Sequence, residues 1–153
     1  MHIITGTIFD GTMTYATSLA DKQVEMGHRV FIVGNRLPVQ TRATFISVPI
    51  HNRRYLQRFR NIRVLKSLFK LYEIELVNAH SRAASWLSHY ATKKLPVTYV
   101  STIHSFIPER ASVKRHNIYG KNIIAVCDEI KKHAEATAPY FKSLDIRVVY
   151  NGI

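Results

Sequence analysis

Short runs rich in β-branched residues alternate here with longer stretches of helical spacing, and that alternation restricts the fold more than any single motif. "HIIT" (2–5), "RVFIVG" (29–34), "TFISVPI" (44–50), "ELVNA" (75–79), "PVTYVST" (96–102), "NIIAV" (122–126) and "IRVVY" (146–150) read as strands, the third stopped by Pro49. Between the first two, "MTYATSLADKQVEMG" repeats Met13, Ala16, Ala20 and Val24 at helical intervals, with Leu19 alongside and Gly27 where a left-handed cap belongs. "RYLQRFRNIRVLKSLFKLYE" spaces Tyr55, Phe59, Ile62, Leu65, Phe69 and Tyr72 by three or four, which predicts a long helix buried along that stripe. "SRAASWLSHYATKK" takes Ser81 as its N-cap and ends on two lysines that suit a helix C-terminus. "DEIKKHAEATAPYFK" is helical at least to Ala138, ahead of Pro139.

Strands separated by helices build βαβ units, so the expected class is α/β: a Rossmann-like, doubly wound, mostly parallel sheet with helices on both faces. The connection from the second strand to the third, Asn35 to Ala43, is short, and the sequence leaves its geometry open. A length of 153 residues fits a single domain spanning 1–153, and a hydrophobic share of 46% excludes a disordered chain. One cysteine, Cys127, excludes an internal disulfide framework and fits a reducing compartment. The start, "MHIITGTIFDG", lacks the basic and long apolar regions of a secretory signal. No stretch approaches the roughly 20 apolar residues of a membrane span, so the expected location is cytoplasmic.

In an open parallel sheet, ligands bind beyond the carboxyl ends of the strands. Those positions carry "TGTIFDGT", "NAHSR", "STIHS" and "YNGI". The first leads into a helix, whose amides and dipole suit an anion, with Gly11 permitting close approach; a turn that simply needs glycine explains it equally well. It contains no G-x-G-x-x-G and no G-K-[ST], against ordinary dinucleotide binding and against a P-loop. His80 and His104 each follow a strand, placing imidazoles at one sheet edge, although a lone histidine is more often structural. The eight histidines show no H-E-x-x-H and no cysteine pair accompanies them, so no metal site is expected. Cys127 opens a helix, where a small buried residue is the simpler reading than a reactive thiol.

Charge sets the chain apart: 22 Lys and Arg stand against 10 Asp and Glu, a formal net of +12. Such a surplus points to a polyanionic partner. Arg53, Arg54, Arg58, Arg60, Arg63, Lys66 and Lys70 follow one another with no acid before Glu73. On a helix, Arg60, Arg63, Lys66 and Lys70 flank the apolar stripe, with Val64 and Leu71 beyond them. Basic and apolar groups on one outer face suit an anionic membrane surface. A solvated face packed by a neighbouring loop accounts for the pattern as well. Nucleic acid is disfavoured, because the aromatic residues here fall on the expected buried stripe rather than on a stacking surface.

In order and spacing these segments resemble the N-terminal half of a GT-B glycosyltransferase of the retaining family 4 type. "DGTMTYATSLADKQVEMGHRVFIVG" is similar to the family's glycine loop, first helix and "GHxV" strand entry. "IELVNAHSRAASWL" resembles "DvvHaHs", "PVTYVSTIHS" resembles "P-x-v-x-t-x-H", "NIIAVCDEIKKHA" resembles "iiavS-x-x-i", and "VVYNGI" resembles the "viyNGid" that closes the half. Three positions depart: Asp10 stands for a loop glycine, Asn78 for the first histidine of "HaH", and Cys127 for a serine.

The resemblance implies sugar transfer from a nucleotide-sugar to an acceptor with retention at the anomeric carbon and no required metal or cofactor. It implies that Gly11 and Thr12 face the donor diphosphate, that His104 contacts the donor sugar, and that His80 and Arg82 lie near the cleft on the acceptor side. It also implies a C-terminal donor-binding domain or partner subunit, which would carry most sugar-nucleotide contacts. With the basic helix, the expected acceptor is a saccharide or a lipid-linked species, and the expected place is the inner face of a membrane. The alternative is a non-catalytic membrane-docking or scaffold subunit that recruits a separate catalytic partner.

Overall fold

A computed structural model describes residues 1–5, 10–50 and 55–152. Seven strands form one sheet in the order β3-β2-β1-β4-β5-β6-β7, and every neighbouring pair is parallel. The strands are β1 (His2–Ile3), β2 (Phe31–Gly34), β3 (Thr44–Ser47), β4 (Leu76–Ala79), β5 (Thr98–Ile103), β6 (Asn122–Ala125) and β7 (Asp145–Val148). The helices are α1 (Gly11–Glu25), α2 (Tyr55–Leu71), α3 (Arg82–Thr92), α4 (Ala111–Arg115) and α5 (Asp128–Thr137). A 3-10 turn, Pro139–Ser143, follows α5 where Pro139 removes the next amide donor. The expected doubly wound α/β class is the observed one, with one short helix, α4, that the sequence reading did not contain.

Strand order reverses at β1, and right-handed crossovers then place the helices on opposite faces. Among the described helices, the one between β1 and β2 lies alone on one face, where Met13, Ala16 and Ala20 bury against Ile4, Val30 and Ile32. On the other face, α2 and α3 bury Leu65, Phe69, Ala84, Leu87 and Ala91 against Ile3, Phe31, Val33, Val77 and Ala79. Farther along that face, Ile130 and Ala134 of α5 pack on Ile103, Ile123, Ala125 and Ile146. The period of two in each strand sorts these side chains: Ile3 and Val33 face one way, Ile4 and Ile32 the other.

The loop between β2 and β3 contains no helix, which settles the geometry the sequence left open. The carboxylate of Asp21, on α1, accepts from Thr41 Oγ1 at 2.6 Å and from the Arg42 amide at 2.7 Å, tying the loop to α1. Gly27 has φ +89° and closes α1 as expected. Ser81 caps α3, its Oγ accepting from the Ala84 amide at 3.1 Å.

The buried side of α2 differs from the expected stripe. Tyr55 and Phe59 are 76% and 58% exposed, while Asn61 joins Leu65 and Phe69 in the interior. Asn61 is tolerated there because its amide is satisfied, and Arg58 because its guanidinium lies over an aromatic ring. Asn61 Nδ2 donates to the Pro49 carbonyl at 2.9 Å, its Oδ1 accepts from Gln57 at 2.9 Å, and the Arg58 guanidinium lies 5.3 Å from the Trp86 ring centroid. The helix is thereby turned so that apolar groups at its N-terminal end face outward.

On the α1 side, the sheet buries a polar row as well as an apolar one. His2 pairs in register with Asn78, and His80 follows two positions on, so these side chains share a face. Gln23 Oε1 of α1 lies 2.8 Å from His2 Nε2, and His2 Nδ1 lies 2.9 Å from His80 Nε2. Asn78 Oδ1 accepts from Thr102 Oγ1 at 2.9 Å, bridging β4 to β5. Burial lowers His2 to a pKa of about 4 and pushes His80 well below the usual histidine value, so both stay neutral in the fold.

Two outcomes test this packing. Gly120 has φ +80°, and a Cβ there would come within 2.7 Å of the Tyr99 ring. Gly120→Ala is expected to lower unfolding free energy by about 2–4 kcal/mol, from left-handed strain and overpacking together. Gly152→Ala, whose Cβ meets nothing, is expected to leave the urea midpoint unchanged. Acidification acts through the histidines. Their folded pKa values lie below the unfolded value of about 6.5, so the unfolded chain binds more protons as pH falls from there towards 4. Stability is therefore complete above about pH 6.5 and drops below it; urea midpoints at pH 7 and pH 5.5, above most carboxylate titration, should differ accordingly.

Candidate functional site

All strands being parallel, their carboxyl ends share one edge, and the order reverses between β1 and β4. A crevice opens where loops leave such neighbouring strands in opposite directions. Here it is a cleft of about 410 Å³. Thr5, Asp10 and Thr12 enter it after β1; His80, Ser81 and Arg82 after β4; Thr102, His104, Ser105 and Phe106 from the end of β5 and beyond; Tyr119 closes the far wall.

Two helices begin at this cleft. Asp10 is the N-cap of α1, its Oδ1 accepting from the Met13 amide at 2.8 Å. Its negative charge is thus directed onto the helix end, where it is stabilised, which gives a structural role to the residue that replaces the resembled family's glycine. Gly11 and Thr12 are the first residues of α1, where amides lack partners within the helix. Part of the glycine-containing loop, residues 6–9, lies outside the described residues. Ser81 and Arg82 form the start of α3, and Thr5 Oγ1 donates to Ser81 Oγ at 2.7 Å across the two loops. Both helix dipoles present their positive ends to the cleft, a setting that favours a bound anion.

Among the described residues, His104 is the histidine that meets the cleft with a ring nitrogen to spare. Its Nε2 lies 3.1 Å from His80 Nδ1, and Tyr15 of α1 packs edge-on against the ring, with centroids 4.9 Å apart. Burial lowers its pKa to about 4, opposed by the nearby Asp10 carboxylate. His80 is only 2% exposed and has both ring nitrogens engaged, by His2 and by His104. It therefore touches the cleft wall but reaches a ligand through His104 rather than with its own nitrogens. Arg82 donates from Nη2 to Ser112 Oγ at 3.1 Å and lies near the Tyr119 phenol, whose pKa burial raises to about 12. Among the described residues lining the cleft, Arg82 is the cation and Asp10 the anion.

His80, Arg82, His104 and Thr12 are thus brought together, with Gly11 adjacent. Arg60, Arg63, Lys66 and Lys70 lie elsewhere, on α2 across the sheet from α1. Arg60, Arg63 and Lys70 are exposed, none of the four pairs with an acid among the described residues, and they are interspersed with Leu56, 82% exposed, and with Phe59, Val64 and Leu71. Arg53 and Arg54 lie outside the described residues. Sequence reasoning missed His2, Gln23, Tyr15 and Tyr119. For His2 a signal existed, a histidine within an apolar strand, but its meaning depends on the pairing of β1 with β4.

The comparisons with known proteins agree with this geometry. A glycosyltransferase from Rickettsia africae ESF-5 matches with a TM-score of 0.79 at 21% identity, over 99% of this chain and 42% of that one. The lipopolysaccharide outer core galactosyltransferase WaaB, in its apo form, matches with a TM-score of 0.67 at 15% identity, over 99% of this chain and 45% of that one. The chain thus spans less than half the length of these solved structures, and its sheet and helices correspond to one half of a GT-B fold. No protein of curated function matches it. The family model for Glycosyltransferase Family 4 matches residues 9–153, and the chain belongs to that family.

Proposed function

We propose that this chain is the acceptor-side half of a retaining glycosyltransferase that moves a sugar from a nucleotide-sugar to a saccharide or lipid-linked acceptor, as in polysaccharide biosynthesis. One observation carries this reading within the family: the N-termini of α1 and α3 converge with His104 on a single cleft at the reversal point of the sheet. Gly11 and Thr12 offer backbone amides to the donor diphosphate. His104, neutral, hydrogen-bonds the donor sugar near the reacting carbon. Arg82 serves the acceptor side, with His80 behind it.

In this reading the leaving phosphate, rather than a protein carboxylate, takes the acceptor proton. The cleft's part is to hold fixed dipoles where charge develops and to exclude water once covered. Neither a metal nor a cofactor is required, and this half alone is inactive. The remaining donor contacts come from a C-terminal donor-binding domain or partner subunit.

The outer face of α2 supports docking on an anionic membrane, where Arg60, Arg63, Lys66 and Lys70 meet headgroups and Leu56, Phe59 and Leu71 enter the interface. No helix of the described residues is long and apolar enough to cross a membrane. The attachment proposed for this half is peripheral, on the cytoplasmic face.

Two measurements test the reading. With the donor-binding half present, His104→Ala is expected to lower the rate of sugar transfer from a nucleotide-sugar on the order of 100-fold; turnover at the wild-type rate would exclude the role given to His104. In flotation assays the chain is expected to rise with phosphatidylglycerol-containing vesicles and not with phosphatidylcholine alone. Each Ala substitution among the four basic residues should weaken that binding about fivefold, at about 1 kcal/mol per charge. Equal binding to both lipids would remove electrostatic docking. Vesicle binding without transfer, when the donor half is supplied, would favour the non-catalytic docking subunit.

A further inference from the structure

Gln23 stands far along α1 from the cleft, and nothing in the proposed chemistry uses it. Yet it ends an unbroken row of hydrogen-bonding groups that begins at the cleft: His104 Nε2 to His80 Nδ1 at 3.1 Å, His80 Nε2 to His2 Nδ1 at 2.9 Å, and His2 Nε2 to Gln23 Oε1 at 2.8 Å. We propose that Gln23 is a positioning residue which, through His2 and His80, holds His104 with its proton on Nε2 and a lone pair on Nδ1, so that His104 meets its ligand as a hydrogen-bond acceptor. The proposal rests on the reading of His104 as the group that faces the sugar, and it commits that contact to a donor on the ligand, such as a sugar hydroxyl.

The argument is one of proton counting. A neutral imidazole has one N–H and one bare nitrogen. An amide oxygen only accepts, so His2 Nε2 carries a proton and His2 Nδ1 is bare. His80 Nε2 must then donate to it, leaving His80 Nδ1 bare. His104 Nε2 in turn must donate, and Nδ1 is left as an acceptor. Changing one tautomer alone would put two protons, or two lone pairs, face to face in a buried gap, so the three rings change together or not at all. Burial keeps them neutral, which preserves the count: a doubly protonated ring in the row would break it. The distances are those of hydrogen bonds. The ring nitrogens within the row face one another and Gln23 rather than a common centre.

Row polarity is therefore set at the end remote from the ligand. A residue at position 23 that can only accept keeps the direction; one that can only donate reverses it, giving all three rings Nδ1–H and turning His104 into a donor towards the cleft.

Long-range proton–nitrogen correlation spectra of the nitrogen-15-labelled chain at pH 7 test this without a substrate, so the result stands apart from whether sugar transfer is observed. In the wild type, His2, His80 and His104 are each expected to be protonated at Nε2 and bare at Nδ1. Gln23→Glu, an obligate acceptor, should keep that pattern. Gln23→Lys, an obligate donor, should move the His104 proton to Nδ1, an effect that loss of packing alone would not produce. A wild-type His104 protonated at Nδ1 would overturn the proposal, as would a folded Gln23→Lys protein with the wild-type tautomers. If Gln23→Lys does not fold, the wild type and Gln23→Glu decide: Nδ1–H on His104 in either refutes the assignment. Failed transfer with the expected tautomers would count against the enzymatic reading and leave the row intact.

Discussion

The parallel pairing of β1 with both β2 and β4 is the constraint on which the rest of the molecule depends. Only His2 and Ile3 form that strand, yet it lies at the point where strand order reverses. Its neighbours are fixed through His2 opposite Ile32 and Asn78, and Ile3 opposite Val33 and Ala79. Because crossovers are right-handed, reversal at this strand separates α1 from α2 and α3 onto opposite faces. The same reversal opens the crevice between the loops after β1 and β4. Moving β1 by one residue would turn His2 towards the apolar layer of α2 and α3 and Ile3 towards Gln23, destroying both layers at once.

That dependence explains what was legible in the sequence. Local spacing is enough to find α1, α3 and α5, because each carries its own caps or apolar repeat: Gly27 after α1, Ser81 before α3, Pro139 after α5. The carboxyl-end rule then points to His80 and His104 without knowledge of strand order. What escaped needs contacts between distant segments. Tyr55 and Phe59 read as buried because spacing alone cannot reveal that Asn61 is met by the Pro49 carbonyl and Arg58 by Trp86. His80 reads as a ligand-facing group until His2, 78 residues earlier, is seen to occupy its other nitrogen. The family resemblance supplied the cleft residues as a set, but it carried nothing about Gln23, whose part arises from this chain's His2.

The two faces of the sheet divide the chemistry. Polar groups that must hold a defined geometry lie under α1, where the helix covers them and Tyr15 fixes the exit ring. The basic, apolar surface of α2 lies on the opposite side, where, on the proposed membrane reading, no fixed partner is needed and long side chains would adjust to a fluid interface. A membrane held by α2 would leave the carboxyl edge of the sheet free, since that edge is bounded by loops rather than by the helix.

Charge distribution sharpens this division. The formal net of +12 is scarcely expressed at the cleft, where Arg82 and Asp10 offset each other and the histidines are neutral. A diphosphate drawn in by the overall positive field would therefore meet directional dipoles rather than a pool of cations. Helix N-termini act over a short range and reward a group placed on the axis, so they select position as well as sign. A neutral histidine adds a further directional contact, whereas an imidazolium would attract any anion from any side. On the proposed reading such a rim orients a ligand but does not by itself neutralise a leaving diphosphate, whose developing charge would call for cationic groups from the donor-binding half. Orientation by one half and neutralisation by another would make reaction contingent on closure, so that the activated sugar is exposed to attack only once water has been displaced.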